Sequence, residues 1–426
     1  MMLPGKEFEG LQWVQQLFSL EPEWTLEPDL AAIKETIEEA LQLHGQDVVV
    51  SFLAQGAFNK LYEVQAGKQA LVMRVSLPVD PQYKTRSEVA TVSWIQHHTS
   101  LPVPKIIAYQ ATRENSLGFE WILMEKIPGR PLADAWRSME YPVKEQLVQR
   151  LAMYSSSVFK NQLRGIGNIY ADSSSPESFS SNVGRIVSMQ FFWGNHILQD
   201  VPRGPFQSSK DWILSSLLFN ERDCNSTLAK YQNRDDLSSD DEDDVEDAER
   251  TLTIIKRLKA HVDDFFPDSG QIPEASMLFH DDLNQHNILV DENGILTGVV
   301  DWECVSALPL WKACYYPSFL EGRPRETKPD QTTYHHAENG EPDIIYWEHL
   351  MEYELTELRR YFLQEMRRLE PGWIEVFESA TAKRDFHIAV QNCDNGLVSR
   401  DITEWLDDIA RGKGTEQSLR ARLDGS

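Results

Sequence analysis

A polar loop between two apolar segments is the feature of this chain that most limits its fold. Residues 277–279 are apolar, residues 280–287 are mostly polar, and residues 288–290 are apolar again. A further apolar segment, residues 298–300, leads directly into Asp301. Short apolar runs rich in branched side chains favour buried strands. The pattern therefore predicts a strand, a polar loop and a second pair of strands that ends in an acid.

Three side chains in this region suit metal-assisted transfer of a phosphoryl group, a reaction that depends mainly on positioning and charge neutralisation. Asp282 lies in the loop, where an acid can orient a nucleophilic hydroxyl and accept its proton, and Asn287 follows five positions later. Asp301 supplies a second hard oxygen of the kind that magnesium prefers. The spacing predicts Asp282 as catalytic base and Asn287 and Asp301 as metal ligands.

These residues resemble the signature H-G-D-L-x-x-x-N, followed by D-x-E, of the aminoglycoside phosphotransferase and choline kinase-like family. The run from Trp302 to Ala313 is similar to a fungal subgroup of that family, and the similarity spans roughly residues 45–320. The resemblance implies an α+β, two-lobed protein-kinase-like fold, with a small antiparallel sheet and one helix in the first lobe and a larger, mainly helical second lobe. It also implies an enzyme that uses ATP and Mg²⁺ to move the γ-phosphate to a hydroxyl or amine of a small molecule.

Two residues beside the predicted base need separate interpretation. Asp281 stands where the signature has glycine. Its charge could raise the pKa of Asp282 or attract a further cation, but we expect a side chain that points outward. His280 precedes both acids, and we interpret it as a structural histidine that holds the loop rather than as a proton carrier.

The N-terminal half contains residues that fit a nucleotide clamp, as the resemblance implies. Gly56 lies in the turn of a predicted hairpin that would cover the phosphates. Arg74 stands where the family has a lysine on its third strand, and Glu88 in the next helix would pair with it. The backbone of Glu125 and Ile127 would hydrogen-bond adenine in the connection between the lobes.

The charge of the chain limits its partners. Against 41 Lys and Arg stand 67 Asp and Glu, so the formal net charge is −26. Such a surface repels phosphate backbones, which argues against nucleic acid, and it could favour a cationic acceptor. An acidic and aromatic acceptor site could be formed by five residues: Trp302, Glu303, Trp311, Glu348 and Glu352.

The compartment is predicted from cysteines and from the first residues. The four cysteines are far apart and form no C-x-x-C pair, so reduced thiols and a cytoplasmic location are expected. The N-terminus lacks a continuous apolar segment, and Arg74 is the first arginine, which disfavours a secretory signal or a transit peptide. The sequence contains no run of about 18 apolar residues, so no membrane span is predicted.

Four segments are predicted along the chain. Residues 1–44 are expected to form a helical extension, residues 45–127 the nucleotide-clamping lobe, residues 128–330 the lobe with the catalytic loop, and residues 331–426 a helical extension, with one long helix from Ile344 to Leu369. The acidic stretch 234–250 is too charged to bury and is predicted to be a mobile loop, with phosphorylation of its serines as a weaker alternative.

Two other functions stay open at this point. The chain could be a catalytically weak, kinase-like binding or regulatory module, because Arg74, Asp281 and the single glycine of the hairpin depart from the pattern. A protein kinase is less consistent with the sequence, since no A-P-E segment follows Asp301. The acceptor, the choice between ATP and GTP, and the oligomeric state are not predicted.

Overall fold

The structure is a computed structural model of the chain. It describes residues 1–17, 19–43, 48–171, 181–232, 234, 236–268, 270, 272–336, 340–413 and 417–423. The predicted boundary between residues 44 and 45 lies outside the described residues.

A hairpin and a helix form the N-terminal extension. The elements are β1 (Leu11–Gln15), β2 (Leu20–Trp24) and α1 (Leu30–Ala40), preceded by a 3-10 turn at Lys6–Phe8. Helix α1 begins after Asp29, whose carboxylate accepts a hydrogen bond from the N–H of Ala32 at 3.0 Å, as an N-cap should. The prediction of a helical extension was therefore incomplete, because Leu11 and Trp13 of β1 are buried and alternate with less buried residues, a period of two that marks a strand.

An antiparallel sheet with one helix follows, as predicted. Its elements are β3 (Val48–Gln55), β4 (Asn59–Ala66), β5 (Gln69–Ser76), α2 (Tyr83–His98), β6 (Ile106–Gln110) and β7 (Glu120–Glu125). Within the described part of the chain, the strand order is β3-β4-β5-β7-β6, and every pairing is antiparallel. Strand β5 is central and carries Arg74, whose side chain lies opposite the apolar face formed by Met73 and Val75.

The second lobe is larger and mainly helical. Its elements up to residue 313 are β8 (Arg130–Pro131), α3 (Leu132–Ala135), α4 (Tyr141–Lys160), β9 (Leu163–Arg164), β10 (Ile169–Ala171), β11 (Ser181–Val183), α5 (Met189–Phe192), α6 (Ser209–Tyr231), α7 (Ser239–Phe265), β12 (Ala275–Phe279), β13 (Ile288–Val290), β14 (Leu296–Val299), β15 (Ser306–Pro309) and α8 (Leu310–Ala313). Strand β12 pairs with β15 and β9, while β13 pairs with β14 and β8. The polar loop of the sequence therefore connects two small sheets.

The acidic stretch is the beginning of a helix, so the prediction of a mobile loop was wrong. Helix α7 starts after Ser238, and Ser238 and Asp241 satisfy each other's backbone N–H in a capping box. Acids in the first turn are also favoured by the partial positive charge of a helix N-terminus. From Ala248 onward one face of α7 is buried, and this packing holds the charged first turns in helical form.

Five helices complete the chain, as far as it is described: α9 (Ile344–Leu369), α10 (Pro371–Ser379), α11 (Thr381–Gln391), α12 (Ser399–Ala410) and α13 (Leu419–Leu423). The long helix predicted at 344–369 is confirmed as α9. It packs on α4, where the buried Lys144 pairs with Glu354 at 2.7 Å and lies over the ring of Trp136. Among the described residues, no helix has the length and apolar composition that crossing a membrane requires.

A buried ion pair joins the segment before α2 to the second lobe. Both carboxylate oxygens of Asp80 accept hydrogen bonds from Arg185, at 2.8 and 2.6 Å, and only 2% of Asp80 is exposed. Burial raises the pKa of Asp80 from 3.8 to about 6, although Arg185 and Arg203 oppose the shift. Ionised Asp80 is therefore costly for the folded state despite its partner.

This shift predicts a pH dependence of stability. Between pH 3.8 and about 6 the folded chain holds a proton on Asp80 that the unfolded chain has lost, so the stability contributed by this group falls as pH rises. Compared with Asp80→Asn, which cannot titrate, the wild-type free energy of unfolding should fall by about 2 kcal/mol between pH 4.5 and pH 7. Urea denaturation of both proteins across this range measures the difference. Asp200→Asn, at an exposed position, is the matched control and should keep the pH dependence of wild type. If Asp200→Asn changed the pH dependence of the free energy of unfolding as much as Asp80→Asn does, Asp80 would not be the cause.

Candidate active site

The loop between β12 and β13 holds Asp282 in one orientation. The amide of Asn284 donates to Oδ1 of Asp282 at 2.6 Å, and the amide of Asn287 donates to Oδ2 at 2.9 Å and to the Asp282 carbonyl at 2.8 Å. Asp282 itself is exposed. Because Asn287 uses its Nδ2 for these contacts, its Oδ1 points away from Asp282 and remains an oxygen that could bind a cation. The spacing of Asp282 and Asn287 thus corresponds to a direct contact.

The strand pair β13–β14 brings Asp301 to the same loop. The N–H of Val300 donates to the carbonyl of Asn287 at 2.9 Å, so Asp301 follows directly on a residue bonded to the loop. Asp301 has a φ of 64°, a left-handed conformation that is strained for an acid. Such strain is kept only where surrounding contacts hold it, and it is concentrated at functional sites.

A buried contact between two aromatic rings packs against the turn that carries Asp301. The indole of Trp302 donates to the carbonyl of Val299 at 2.9 Å, and its ring lies 4.9 Å from that of His280. Burial lowers the pKa of His280, more strongly than the nearby acids Asp301 and Asp282 raise it. His280 is therefore a neutral packing residue beneath the loop, in agreement with the structural role predicted for it.

Arg74 joins the two lobes through three carboxylates. Its guanidinium lies 2.8 Å from Glu88 on α2, 2.9 Å from Asp301 and 2.8 Å from Glu303. Only 5% of Arg74 and 3% of Glu88 are exposed. Burial by itself lowers the pKa of Arg74, but the surrounding acids raise it by more, so the guanidinium stays charged. The predicted pairing of Arg74 with Glu88 is present as a direct contact.

Lys84 is a second buried cation of the cluster, which the sequence analysis missed. Its ammonium lies 2.6 Å from Glu303 and 2.9 Å from the side-chain oxygen of Asn59. Asn59 also donates to Glu303 at 2.9 Å. Lys84 lies four residues before Glu88, so both face the same side of α2, and this spacing was the available signal.

The surrounding cations fix the charge of Glu303. Burial would raise the pKa of Glu303, but Lys84 and Arg74 outweigh it and hold the pKa at about 2. Glu303 is therefore ionised at all ordinary pH values. It ties β4, β5 and α2 to the turn after β14, while Asp301, whose side chain is 36% exposed, remains open toward solvent.

The departure at Asp281 has a local explanation. The Asp281 side chain is 66% exposed and lies 3.5 Å from the ammonium of Lys312 on α8. Its carboxylate thus turns away from Asp282, as expected, and its charge is balanced by Lys312. The presence of aspartate instead of glycine at position 281 leaves the hydrogen bonds of Asp282 intact.

The predicted nucleotide-clamping residues lie in the hairpin and at the end of β7. A Cβ added to Gly56 would meet nothing within 4 Å, so packing within the chain does not explain this glycine. The N–H of Glu125 already donates to the carbonyl of Lys105 at 2.9 Å, which removes it as a donor for adenine. Ile127 packs against Gly298, where a Cβ would come within 2.4 Å of its side chain. In the described part of the chain, the N–H of Ile127 has no acceptor and is available for the predicted contact with adenine, while Glu125 would contribute through its carbonyl.

The five residues suggested for an acidic and aromatic acceptor site do not form one surface. Trp302 and Trp311 are buried, at 1% and 5% exposure, and Trp311 donates to Ser209 at 2.7 Å. Glu303 belongs to the cation cluster, and Glu352 pairs with Arg325 at 2.9 Å. The acceptor must therefore be sought elsewhere.

The chain belongs to the phosphotransferase enzyme family, whose model matches residues 49–311. The match covers the sheet with Arg74, the loop with Asp282 and Asn287, and the turn that carries Asp301 and Glu303. Together with the antiparallel first lobe and the helical second lobe, it confirms the family and the α+β, two-lobed kinase-like fold that the sequence indicated.

Individual relatives are distant. A subtelomeric hrmA-associated cluster protein of Aspergillus fumigatus is 25% identical over 308 residues, which are 63% of this chain and 60% of the relative. A protein of Debaryomyces hansenii named altered inheritance of mitochondria protein 9, mitochondrial, is 24% identical over 316 residues, 64% of this chain and 49% of the relative. The chain thus spans about half to three fifths of the length of these relatives. A solved aminoglycoside phosphotransferase APH(4)-Ia, in complex with ADP and hygromycin B, aligns with 92% of this chain and 98% of its own, at 16% identity and a TM-score of 0.43.

The predicted cytoplasmic location is contradicted by these comparisons. The relative from Debaryomyces hansenii and others from Meyerozyma guilliermondii and Lachancea thermotolerans are named as mitochondrial proteins. The prediction rested on scattered cysteines and on the composition of the first residues. Scattered reduced cysteines do not distinguish the cytosol from other reducing compartments, so this evidence was too weak to decide the location.

Proposed function

We propose that this chain is an ATP-dependent phosphotransferase that moves the γ-phosphate to a hydroxyl or amine of a small molecule. The observation that carries the proposal is the cluster around the loop after β12. An exposed acid, Asp282, is held by two amides beside a strained acid, Asp301, and a buried arginine from the other lobe contacts Asp301 directly. This is the set of groups that phosphoryl transfer requires: a base, oxygen ligands and a phosphate-binding cation.

Asp282 is the proposed base. Both of its oxygens accept amide hydrogen bonds, which fix the carboxylate without neutralising it. An exposed, fixed carboxylate can orient an acceptor hydroxyl, and it takes the proton as the hydroxyl oxygen bonds to the γ-phosphorus and the bond from that phosphorus to the departing ADP breaks. An amine acceptor would be handled in the same way.

The oxygens that remain fit a magnesium ion. Among the described residues, no group of three or more His, Cys, Asp or Glu is arranged as a metal site, so a protein cage is not expected. Magnesium bound together with nucleotide needs only one or two protein oxygens, because phosphates and water complete its shell. Oδ1 of Asn287 and the carboxylate of Asp301 would hold it, and the ion would neutralise charge on the phosphates.

Arg74 is the proposed phosphate-binding cation, and Glu88 is the residue that positions it. The guanidinium has several donors, so it can hold Glu88 with one edge and exchange a carboxylate contact for phosphate oxygens with the other. Gly56 and the N–H of Ile127 would contact phosphate and adenine respectively. The open space beside Gly56 supports a close approach of a ligand to the backbone there.

A specific observation favours a second candidate, the catalytically weak binding module. Arg74 already binds Asp301, the carboxylate that a magnesium–nucleotide complex would engage, at 2.9 Å. A chain in which this ion pair never opens would keep its fold without turnover.

Transfer of label from γ-labelled ATP to pooled small metabolites, resolved by mass spectrometry, tests the choice between the two candidates. A labelled product that requires magnesium and is absent with Asp282→Asn supports the phosphotransferase. Nucleotide binding without any labelled product supports the binding module. Parallel reactions with labelled GTP decide which nucleotide is preferred.

A further inference from the structure

A cavity of about 330 Å³ lies between β12, α8, α11 and α13. This volume is in the range of small-molecule sites, which are about 300 to 1,000 Å³. Its wall includes charged residues from each side: Asp281, Lys312, Glu321, Arg384 and Arg420. The cavity is formed largely by the C-terminal helices, outside the segment that the family model matches.

The cavity is adjacent to the proposed base. Asp281 is part of its wall, and the Cα atoms of Asp281 and Asp282 are about 3.8 Å apart because the two residues are consecutive. A second connection runs through the segment that carries Ser318 and Glu321, since the N–H of Phe319 donates to the carbonyl of Leu283 at 2.9 Å. A ligand in the cavity therefore contacts this loop on the side of Asp281, and the rest of the acceptor would extend around the loop to reach Asp282, which is not part of the wall.

The charges of the wall leave one cation without an acidic partner. Asp281 lies 3.5 Å from Lys312, and Glu321 lies 2.7 Å from Arg420. Arg384 has no carboxylate within 4.0 Å among the described residues. Its contacts are instead neutral: the carbonyls of Phe377, at 2.6 Å, and Trp311, at 3.4 Å, the hydroxyl of Thr381, at 3.5 Å, and the rings of Tyr315 and Phe377, whose centroids lie 5.2 and 5.1 Å away.

Burial makes this unbalanced charge costly. Burial lowers the pKa of Arg384, against the effect of Tyr315 and Asp385 nearby. Asp385 does not serve as its ion partner, because its carboxylate accepts the N–H groups of Leu419 and Arg420 at 3.0 and 3.2 Å. Arg384 is partly buried, and a partly buried cation with no carboxylate in contact is stabilised further by an anion from solution.

The neighbouring polar groups add donors without adding charge. Burial and the adjacent Lys312 lower the pKa of His387 well below its ordinary value, so the ring is neutral at pH 7. The hydroxyl of Tyr315 accepts a hydrogen bond from Arg420 at 2.6 Å and keeps its own proton for donation. The wall thus combines one excess positive charge with neutral donors, in a chain whose net charge is −26.

We propose that this cavity binds an anionic group of the acceptor, a carboxylate or a phosphate, with Arg384 as its counter-ion. That the ligand is the acceptor rests on the proposed function. That the cavity binds an anion does not depend on whether the chain catalyses phosphoryl transfer. It replaces the cationic acceptor that the net charge favoured, because the local charge of a concave site decides which ligand it holds.

Four probes that share one sugar scaffold test the proposal: gluconate, glucose 6-phosphate, glucose and glucosamine. Their effects on the melting temperature of the full chain are measured in the presence of saturating magnesium and ADP, so that the nucleotide site is filled. We expect a rise with gluconate, glucose 6-phosphate or both, and none with glucose or glucosamine. The two anionic probes distinguish a carboxylate site from a phosphate site.

Arg384→Gln should weaken the binding of the anionic probe about tenfold or more, because it removes a charge-assisted hydrogen bond. Arg384→Lys, which keeps the charge, should retain part of the binding, and the exposed Arg150→Gln on α4 should retain all of it. The rise in melting temperature that magnesium and ADP cause without any probe reports the nucleotide site separately. If that rise were absent, the proposed function would be rejected, but the proposal of an anion site would not. Equal shifts with all four probes, no shift with any, or unchanged anion binding in Arg384→Gln would overturn the proposal.

Discussion

Asp282→Asn should lower the turnover number for phosphoryl transfer by about 10² to 10⁴ and leave nucleotide affinity unchanged, since this is the range that a positioned base contributes. The asparagine has nearly the same shape, but it cannot accept the proton of the acceptor. Asn284 and Asn287 now donate to different carboxylate oxygens, so one of the two would keep an oxygen acceptor on the new side chain, and Asn287 would also keep its bond to the backbone carbonyl of residue 282. The fold of the loop should therefore persist.

Steady-state release of ADP at saturating acceptor measures this effect, with nucleotide affinity measured separately by calorimetry. Asp134→Asn is the matched control, because it makes the same change on an exposed side chain of α3, outside the loop of Asp282 and outside the wall of the cavity. Asp134→Asn should keep turnover within about threefold of wild type, since general base catalysis acts through the positioned group alone. Equal losses in the two variants would remove Asp282 as the base.

Arg74→Met should lower the free energy of unfolding by about 3 to 5 kcal/mol, the usual cost of leaving a buried ion without its partner. Glu88, at 3% exposure, would lose its close cation, and the contacts of Asp301 and Glu303 with the first lobe would be weakened. Urea denaturation measures the loss.

The double variant Arg74→Met with Glu88→Gln separates the ion pair from the packing of the arginine. Because the second change removes the stranded charge, it should recover at least about half of the lost stability. Additive losses in the double variant would mean that Arg74 and Glu88 do not stabilise each other, in contradiction of the 2.8 Å contact.

The contact between Asp282 and Asn287 was predictable from sequence because it is local. Asp282 and Asn287 lie in one loop, and a spacing of five residues is enough to bring an amide to a carboxylate. Arg74 and Glu88 were predictable for a related reason, since a central strand and the helix after it pack in a fixed way. The family signature added the expectation that these two groups meet.

Contacts between distant segments were not predictable in the same way. Lys84 meets Glu303 only because α2 folds against the turn after β14. The spacing of Lys84 and Glu88 places both on one face of α2, but it does not identify Glu303 as the partner of Lys84. The cavity beside Asp281 depends on α11 and α13, which pack there through residues that resemble any other helix face. The acidic stretch before Ala248 was predicted wrongly although its signal is local. Its high charge favoured a loop, while the capping residue Ser238, which indicates the start of a helix, was not given enough weight.

The proposed activity requires that the second lobe bind a magnesium–nucleotide complex through Asp301. The melting temperature of the full chain with ATP, with and without magnesium, tests this for wild type and for Asp301→Asn. We expect a rise with wild type that requires magnesium, and no magnesium-dependent rise with Asp301→Asn. A rise that does not depend on magnesium, or one that Asp301→Asn retains in full, would contradict it.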